Sequence, residues 1–394
     1  MVVNGRSLDS VAVIGGGTMG REIAVLCAQA GFVTFVKEAD AEFANRVTEN
    51  IRTIFQRWLD KGKITRDQFD NYNQLILATD KWEDLQSVDL VIEAVPENME
   101  LKKQIFAVLD SCMPEHTIFA SNTSALSITE MAEVTHRQGR FAGLHFFNPP
   151  TKMPLVEVIS GEKTDMVTAQ TLRAFATSIN KRAIHVKKDT PGFVVNRILV
   201  PYLNEAVRLL METKLTMEQI DGEAAKNGWP MGPFGLLDMI GLDVAAPVAR
   251  YLHSQFGARM EPSPLMEKMA EWKRFGRKNG VGFYGEPPIV EIIEQAFPLS
   301  RQMKLPVDAG YKRMLLCLVN EAFMCSENGV SSEEDIETGC LFGIGFPMAT
   351  GGPLHWAQNQ GLQNLCNELD QLSDLHGCRF FPSNLLREYV NQKK

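Results

Sequence analysis

Two neighbouring apolar runs each carry one ionisable residue, His145 in Gly143-Leu-His-Phe-Phe-Asn-Pro149 and Glu157 in Pro154-Leu-Val-Glu-Val-Ile159. A histidine whose second ring nitrogen is held by a carboxylate is a base near neutral pH, which is what removing a hydroxyl proton during hydride transfer demands. Read in isolation, the pair equally describes a satisfied core histidine and an unrelated strand glutamate, the commoner arrangement for residues twelve apart. A second chemical signal lies near the start of the chain. Gly15-Gly-Gly17-Thr18-Met19-Gly20 follows the apolar run Val11-Ala-Val-Ile14 and opens a helical pattern with an inward stripe of Met19, Ile23, Leu26, Cys27 and Ala30. In a strand, Gly-x-Gly-x-x-Gly, helix unit, the first glycine makes the turn, the second lets backbone approach a pyrophosphate at the helix N-terminus, and the third lets helix and strand pack closely. An acid is expected about 20 residues on, where it holds ribose hydroxyls. Glu38 stands there and repels a 2′-phosphate, which favours NAD over NADP, while the adjacent cation Lys37 argues the other way.

The elements that must position these groups alternate. Val11–Ile14, Val33–Val36, Leu90–Ile92 and Ile118–Ala120 are apolar at nearly every position, with room for a helix in each gap, the rhythm of a parallel sheet covered on both faces. From Pro191 the apolar residues recur at helical spacing instead. Arg197, Asn204-Glu-Ala206, Ile220 and Gly228-Trp-Pro-Met231 recur as Arg313, Asn320-Glu-Ala322, Ile336 and Gly345-Phe-Pro-Met348, always 116 or 117 residues later. A constant offset predicts a duplicated helical region. The expected architecture is an α/β Rossmann-type parallel-sheet domain over 1–188, followed by a duplicated all-α C-terminal domain, its first copy 189–302 and its second 303–394. The glycine- and proline-rich segment 276–306 is the expected linker between copies.

Composition narrows the class. The 394 residues are 45% hydrophobic and 22% charged, with 40 Lys plus Arg against 48 Asp plus Glu and a net charge of −8, an ordinary globular balance that disfavours nucleic-acid or membrane-surface binding. Seven cysteines without a Cys-x-x-Cys pair disfavour a disulfide framework and a zinc ribbon and suit a reducing, intracellular compartment; no metal site is expected. No apolar run approaches a membrane span, and the start Met1 to Arg6 lacks the layout of a secretory signal.

In order along the chain, Gly15 to Gly20, Asp89-Leu-Val-Ile-Glu-Ala-Val95 with Glu97-Asn-Met-Glu-Leu-Lys-Lys103, Ser121-Asn-Thr-Ser124, His145-Phe-Phe-Asn-Pro149 and Asp189-Thr-Pro-Gly-Phe-Val-Val-Asn-Arg197 resemble the successive motifs of the L-3-hydroxyacyl-CoA dehydrogenases. The duplicated end resembles the dehydrogenase part of bifunctional β-oxidation enzymes, without their enoyl-CoA hydratase domain. The resemblance implies NAD-dependent oxidation of L-3-hydroxyacyl-CoA to the 3-ketoacyl-CoA. It implies His145 as general acid/base, Glu157 as its orienting partner, and Ser124 and Asn196 as hydrogen-bonding groups at the reacting oxygen or the histidine. Gly15, Gly17, Thr18, Met19, Gly20, Glu38, Ala94, Val95, Glu97, Lys102, Asn122 and Asn148 are the implied cofactor positions. Bland readings stand beside two of these: Ser124 as a helix N-cap, and Lys102 on a solvated helix face. The hairpin Arg46 to Phe69, with Arg46, Arg52, Arg57, Lys61, Lys63 and Arg66, is implied to lie near coenzyme A. Glu22 departs from the family's usual glycine and is expected to crowd the helix against its neighbours or the cofactor. A non-catalytic scaffold resembling the λ-crystallins and a hydroxy-acid dehydrogenase without coenzyme A substrates are the alternatives. In single-copy relatives the helical domain is the dimer interface, so two copies imply that a monomer suffices. The end Asn391 to Lys394 is not the Ser-Lys-Leu peroxisomal address.

Overall fold

Short runs of branched and aromatic residues bounded by glycine, proline or acids form the strands, and the longer stretches between them form helices. The computed structural model describes residues 2–3, 6–297 and 301–392. The chain divides into two compact units, Met1–Phe193 and Val194–Lys394.

The first unit runs β1 (Ser10–Ile14), α1 (Thr18–Gln29), β2 (Val33–Lys37), α2 (Ala41–Asp60), α3 (Arg66–Leu75), β3 (Ile76–Thr79), β4 (Leu90–Glu93), α4 (Met99–Cys112), β5 (Ile118–Ser121), α5 (Ile128–Ala132), β6 (Phe141–Phe146), β7 (Leu155–Ser160), α6 (Met166–Ser178) and β8 (Arg182–Val186). The eight strands form one sheet in the order β8-β7-β6-β5-β4-β1-β2-β3. Every neighbouring pair is parallel except β6 and β7, which the turn at Pro149-Pro150 sets antiparallel, with His145 opposite Glu157. Val11, Val13, Val36, Leu90 and Ile92 of the sheet share one core with α1, α2 and α6, and Ala12, Ile14 and Val91, which point to the other face, are buried as well, so β1 and β4 are apolar throughout instead of alternating. α2 buries Ala44, Val47, Ile51 and Phe55, a stripe at steps of three and four, and starts where Asp40 accepts a hydrogen bond from Phe43 N. α1 buries Ile23, Leu26 and Cys27, but Ala30 falls one residue past its end and is exposed, so the inward stripe stops sooner than its period suggests.

The second unit begins with α7 (Val195–Glu212), α8 (Met217–Lys226), α9 (Pro233–Ile240), α10 (Leu242–Phe256), α11 (Pro264–Glu271), α12 (Ile289–Ala296) and α13 (Val307–Glu327); the long helices α7 and α13 pack together, and matched residues make matched contacts. Arg197 Nε donates to Glu321 Oε1 at 2.7 Å, and Arg313 Nε donates to Glu205. Arg197 also reaches Asn328 Oδ1 at 2.8 Å, and Arg313 reaches Glu212 Oε2 at 2.7 Å. Asn204 bridges Glu261 O and Ser263 N, and Asn320 bridges Phe381 O and Ser383 N. Contact of i with j matched by j with i is the pattern of a two-fold axis. The arginines are 1% and 3% exposed, so each must be neutralised by the other half's carboxylate.

The segment expected to be linker is more ordered than its glycines suggest. Residues 276–285 fold back on Asp238, whose carboxylate accepts from Phe283 N and Tyr284 N, and α12 (Ile289–Ala296) follows. Residues 298–300 of that segment lie outside the described residues, as do 1 and 4–5 of the start and 393–394 of the end. Among the described residues no helix is long and apolar enough to cross a membrane.

Candidate active site

Because β1, β2, β4, β5 and β6 run parallel, their carboxyl ends deliver Gly15, Glu38, Ala94, Asn122 and Phe147 to one edge of the sheet, where open α/β sheets place ligands. Gly15 has φ +94°, a left-handed conformation that suits glycine, and a β-carbon on it would meet Ala94 O at 3.1 Å. On Gly16 a β-carbon would come within 2.1 Å of Val47 Cγ2, and on Gly20 within 1.8 Å of Gly15 O. On Gly17 it would meet nothing within 4 Å, so this glycine faces open space at the N-terminus of α1. Thr18 and Met19 form the first turn of α1, and no side chain caps it at Gly17. Glu38 Oε1 accepts from Gly16 N at 2.7 Å, which holds a carboxylate beside the glycine turn. A backbone cradle at an uncapped helix N-terminus with a carboxylate at its rim fits an adenine dinucleotide with a free ribose diol.

The antiparallel register brings the two charged strand residues together. His145 Nδ1 lies 2.7 Å from Glu157 Oε2, the histidine 6% exposed and the glutamate fully buried. Phe147 and Phe193 flank the imidazole at 4.6 and 5.9 Å between ring centroids. With Nδ1 tied to a carboxylate, proton exchange falls to Nε2. Asn122 braces the same place, its Oδ1 accepting from Phe146 N at 2.8 Å, one residue from the histidine. Asn148 is exposed in the turn that follows.

The bland readings of Lys102 and Ser124 are corrected. Lys102 is 1% exposed, not on a solvated face, and its Nζ donates to Glu93 Oε1 at 2.7 Å and lies 3.4 Å from Glu97 Oε2. Helix α5 is capped by Ser127, whose hydroxyl accepts from Glu130 N, and not by Ser124. Ser124 instead turns to Glu97 Oε1, which accepts from its N–H at 2.9 Å and its hydroxyl at 3.0 Å, and from Thr123 Oγ1 at 2.7 Å. Burial would raise the Glu97 carboxyl, but Lys102 and these hydrogen bonds outweigh it and hold it below its ordinary range. Val95 N donates to Glu93 Oε1, so Val95, Glu97, Lys102 and Ser124 belong to one network, while Ala94 N donates to Ile14 O of β1. Asn196 lies in the second unit, in the first turn of α7.

Sequence reasoning gave no role to two of the three carboxylates that tie these elements together, Glu93 and Asp189, and read the third, Glu22, only as a source of crowding. Glu93 ends an otherwise apolar strand, fully buried, and accepts from Lys102, Val95 N and Ser121 Oγ; a charge closing an apolar run was its signal. Asp189 accepts from Ser127 Oγ at 2.6 Å and Thr129 N at 2.8 Å, fixing the start of α5. Glu22, expected to crowd its neighbours, bonds to one of them instead: its Oε2 accepts from Thr151 N and Thr151 Oγ1, tying α1 to the turn between β6 and β7. Lys181, the residue before β8, grips the same turn, donating to Pro150 O and Met153 O.

A groove of about 640 Å³ opens beside this turn, lined among others by Trp58, Lys63, Tyr72, Lys152, Asn180 and Lys181. Of the six basic residues of the hairpin only Lys63 lines it; Arg46 and Arg66 pair on the surface with Glu42 and Asp70 one helical turn away. Among the described residues no cluster of three or more His, Cys, Asp or Glu side chains is placed to hold a metal ion.

The sequence matches the family described as 3-hydroxyacyl-CoA dehydrogenase, NAD binding domain, over residues 10–190, and its C-terminal domain over 192–286 and 311–394. The fatty acid oxidation complex subunit alpha of Shewanella sp. strain ANA-3 is 35% identical over 98% of this chain and 56% of its own length, so the chain spans about half of such curated relatives. Among solved structures, 3-hydroxybutyryl-CoA dehydrogenase from Escherichia coli K12 superposes with a TM-score of 0.88 at 28% identity, covering 98% of this chain and 99% of that one. The dehydrogenase part of multifunctional enzyme 1 from C. elegans gives 0.68 at 30% identity, covering 97% and 90%.

Proposed function

Because the chain belongs to the 3-hydroxyacyl-CoA dehydrogenase family, we propose that it oxidises L-3-hydroxyacyl-CoA thioesters to 3-ketoacyl-CoA with NAD, a step of fatty-acid β-oxidation. The observation that carries this reading is the buried His145–Glu157 pair at the sheet edge that also bears the glycine turn and Glu38. Bound there, NAD supplies the hydride acceptor for C3 of the substrate. His145 takes the hydroxyl proton at Nε2 as the C3–H bond breaks, and returns it when the reaction runs backwards. Glu157 fixes the ring through Nδ1 and stabilises the imidazolium that forms. Ser124, turned to Glu97, is positioned by the same network that holds Lys102. Asn196 is assigned, on the family likeness alone, as a further hydrogen-bond donor to the reacting oxygen.

The groove beside the turn suits the phosphates of coenzyme A, with Lys63 and Lys152 as the exposed cations and the Trp58 ring as an apolar wall. NADH consumption with acetoacetyl-CoA and a long-chain 3-ketoacyl-CoA tests the function: turnover that free coenzyme A inhibits competitively is expected. Silence with both thioesters from a protein that binds NADH would move the assignment to a substrate without coenzyme A or to a scaffold.

The matched contacts of α7 and α13 support reading the second unit as two copies of one helical domain, each supplying the surface a partner subunit would. In that register Lys312, paired with Glu368, stands where the first copy has Asn196, so the second copy lacks that donor. A single species near the chain mass of 44.0 kDa is expected in sedimentation velocity, and a stable dimer would contradict it.

A further inference from the structure

Lys37 is the last residue of β2 and immediately precedes the carboxylate that meets the adenosine ribose, the neighbourhood in which a cation makes a dinucleotide site accept a 2′-phosphate. The structure takes this cation out of reach. Its Nζ donates to Glu38 O at 2.6 Å and sits 4.3 Å from the centroid of the Trp82 ring, and the residue is only 6% exposed. An ammonium over an aromatic face is held by the ring quadrupole, most strongly when partly dry and on tryptophan.

Trp82 is placed there by the sheet. β3 pairs with β2 so that Lys37 lies opposite Thr79, and Glu38 N donates to Thr79 O at 2.9 Å. The chain then turns through Asp80 and Lys81, where Lys81 N donates to Thr79 Oγ1, and Trp82 opens the short helical turn Glu83–Leu85. Burial lowers the Lys37 pKa, while Asp80, Glu38 and Glu83 favour its charged form. The ammonium is thus engaged by the Glu38 carbonyl and the Trp82 ring, while the Glu38 carboxylate stands beside the glycine turn.

Resting on the NAD reading above, we propose that Trp82 is a specificity-determining residue: by holding Lys37 over its ring it keeps the site blind to a 2′-phosphate, and Glu38 completes the exclusion.

Calorimetric titration of the full chain with NADH and with NADPH tests this independently of turnover. Trp82→Leu should leave the NADH Kd within about twofold and tighten NADPH about tenfold, the scale of one released partly screened charge. Combined with Glu38→Ser, which removes the repulsion, it should reverse the preference, and adding Lys37→Met should abolish the gain. Trp82→Phe keeps an aromatic face and should keep the wild-type ratio. In the wild-type background Lys37→Met should change NADPH affinity by less than about threefold, because the ammonium is already sequestered. Unchanged NADPH affinity in the Trp82→Leu/Glu38→Ser protein, or a gain that survives Lys37→Met, overturns the proposal. So does a tenfold NADPH loss from Lys37→Met alone, a comparison that stands even if Trp82→Leu does not fold. A wild type that prefers NADPH would overturn the NAD reading as well, whereas an NADH preference with these variants silent overturns only the role of Trp82.

Discussion

His145→Gln should lower kcat for NADH-dependent reduction of acetoacetyl-CoA by roughly 10²–10⁴-fold, the usual worth of a positioned acid or base, while the NADH Kd in a fluorescence titration changes little. The separation of the two effects is expected from the geometry. The histidine sits on β6 and is braced by Glu157 and by the Asn122 contact to Phe146, whereas the dinucleotide cradle is built from β1, α1 and Glu38. Glutamine keeps a polar side chain of similar reach but cannot take up the proton. Glu157→Gln should lower kcat by a smaller factor, since the ring keeps a hydrogen-bonding neighbour but loses the charge that stabilises its protonated form. A His145→Gln protein within tenfold of wild-type kcat would remove the histidine from the chemistry.

The second large effect concerns stability. Lys102→Met should destabilise the chain by about 3–5 kcal/mol, because it leaves the Glu93 carboxylate buried without its cation. Glu93 has no route to solvent as a substitute: it is fully buried, and its other donors are the Val95 amide and the Ser121 hydroxyl, both neutral. The double variant Glu93→Gln/Lys102→Met should recover most of the loss, since an amide retains hydrogen-bonding capacity without charge. Urea unfolding followed by tryptophan fluorescence measures both. A loss below about 1 kcal/mol for Lys102→Met would show that water or backbone relaxation compensates the lysine.

The strands at the start of the chain were legible because Val11–Ile14, Leu90–Ile92 and Phe119–Ala120 are buried on both faces, and such runs have few other uses; Val33–Val36, with Val33 exposed and Phe35 half-buried, was legible from its β-branched and aromatic residues. The glycine turn was legible because the positive φ at Gly15 and the close approaches at Gly16 and Gly20 exclude a β-carbon, and Glu38 because its distance from that turn suits a ribose-binding acid. The tie between His145 and Glu157 was only half legible: the Pro149-Pro150 turn predicts that two strands return on each other, but not that residue 145 falls opposite residue 157. Lys102 and Ser124 show where local reading stops. A lysine on an amphipathic helix is indistinguishable from a solvated one until the strand residue beneath it, Glu93, is known to be charged and buried. Ser124 and Ser127 are equally good caps by composition, and only the donors gathered around Glu97 decide between them. The segment after Gly276 misled for a similar reason, since its glycines serve a loop folded onto the Asp238 carboxylate and not a flexible joint.

The one antiparallel pairing in an otherwise parallel eight-stranded sheet also makes the site sensitive to chain length. His145 meets Glu157 through backbone register, with Leu144 opposite Val158 and Phe146 opposite Val156 on either side. Side chains alternate faces along a strand, so a slip of one position would set His145 against valine and turn one partner to the opposite face of the sheet. A single insertion or deletion within 147–154 must therefore be absorbed wholly within the turn. That turn is pinned by Glu22 on one side and Lys181 on the other, which leaves little slack for it. Among natural variants of this chain, the length between Asn148 and Pro154 should stay constant.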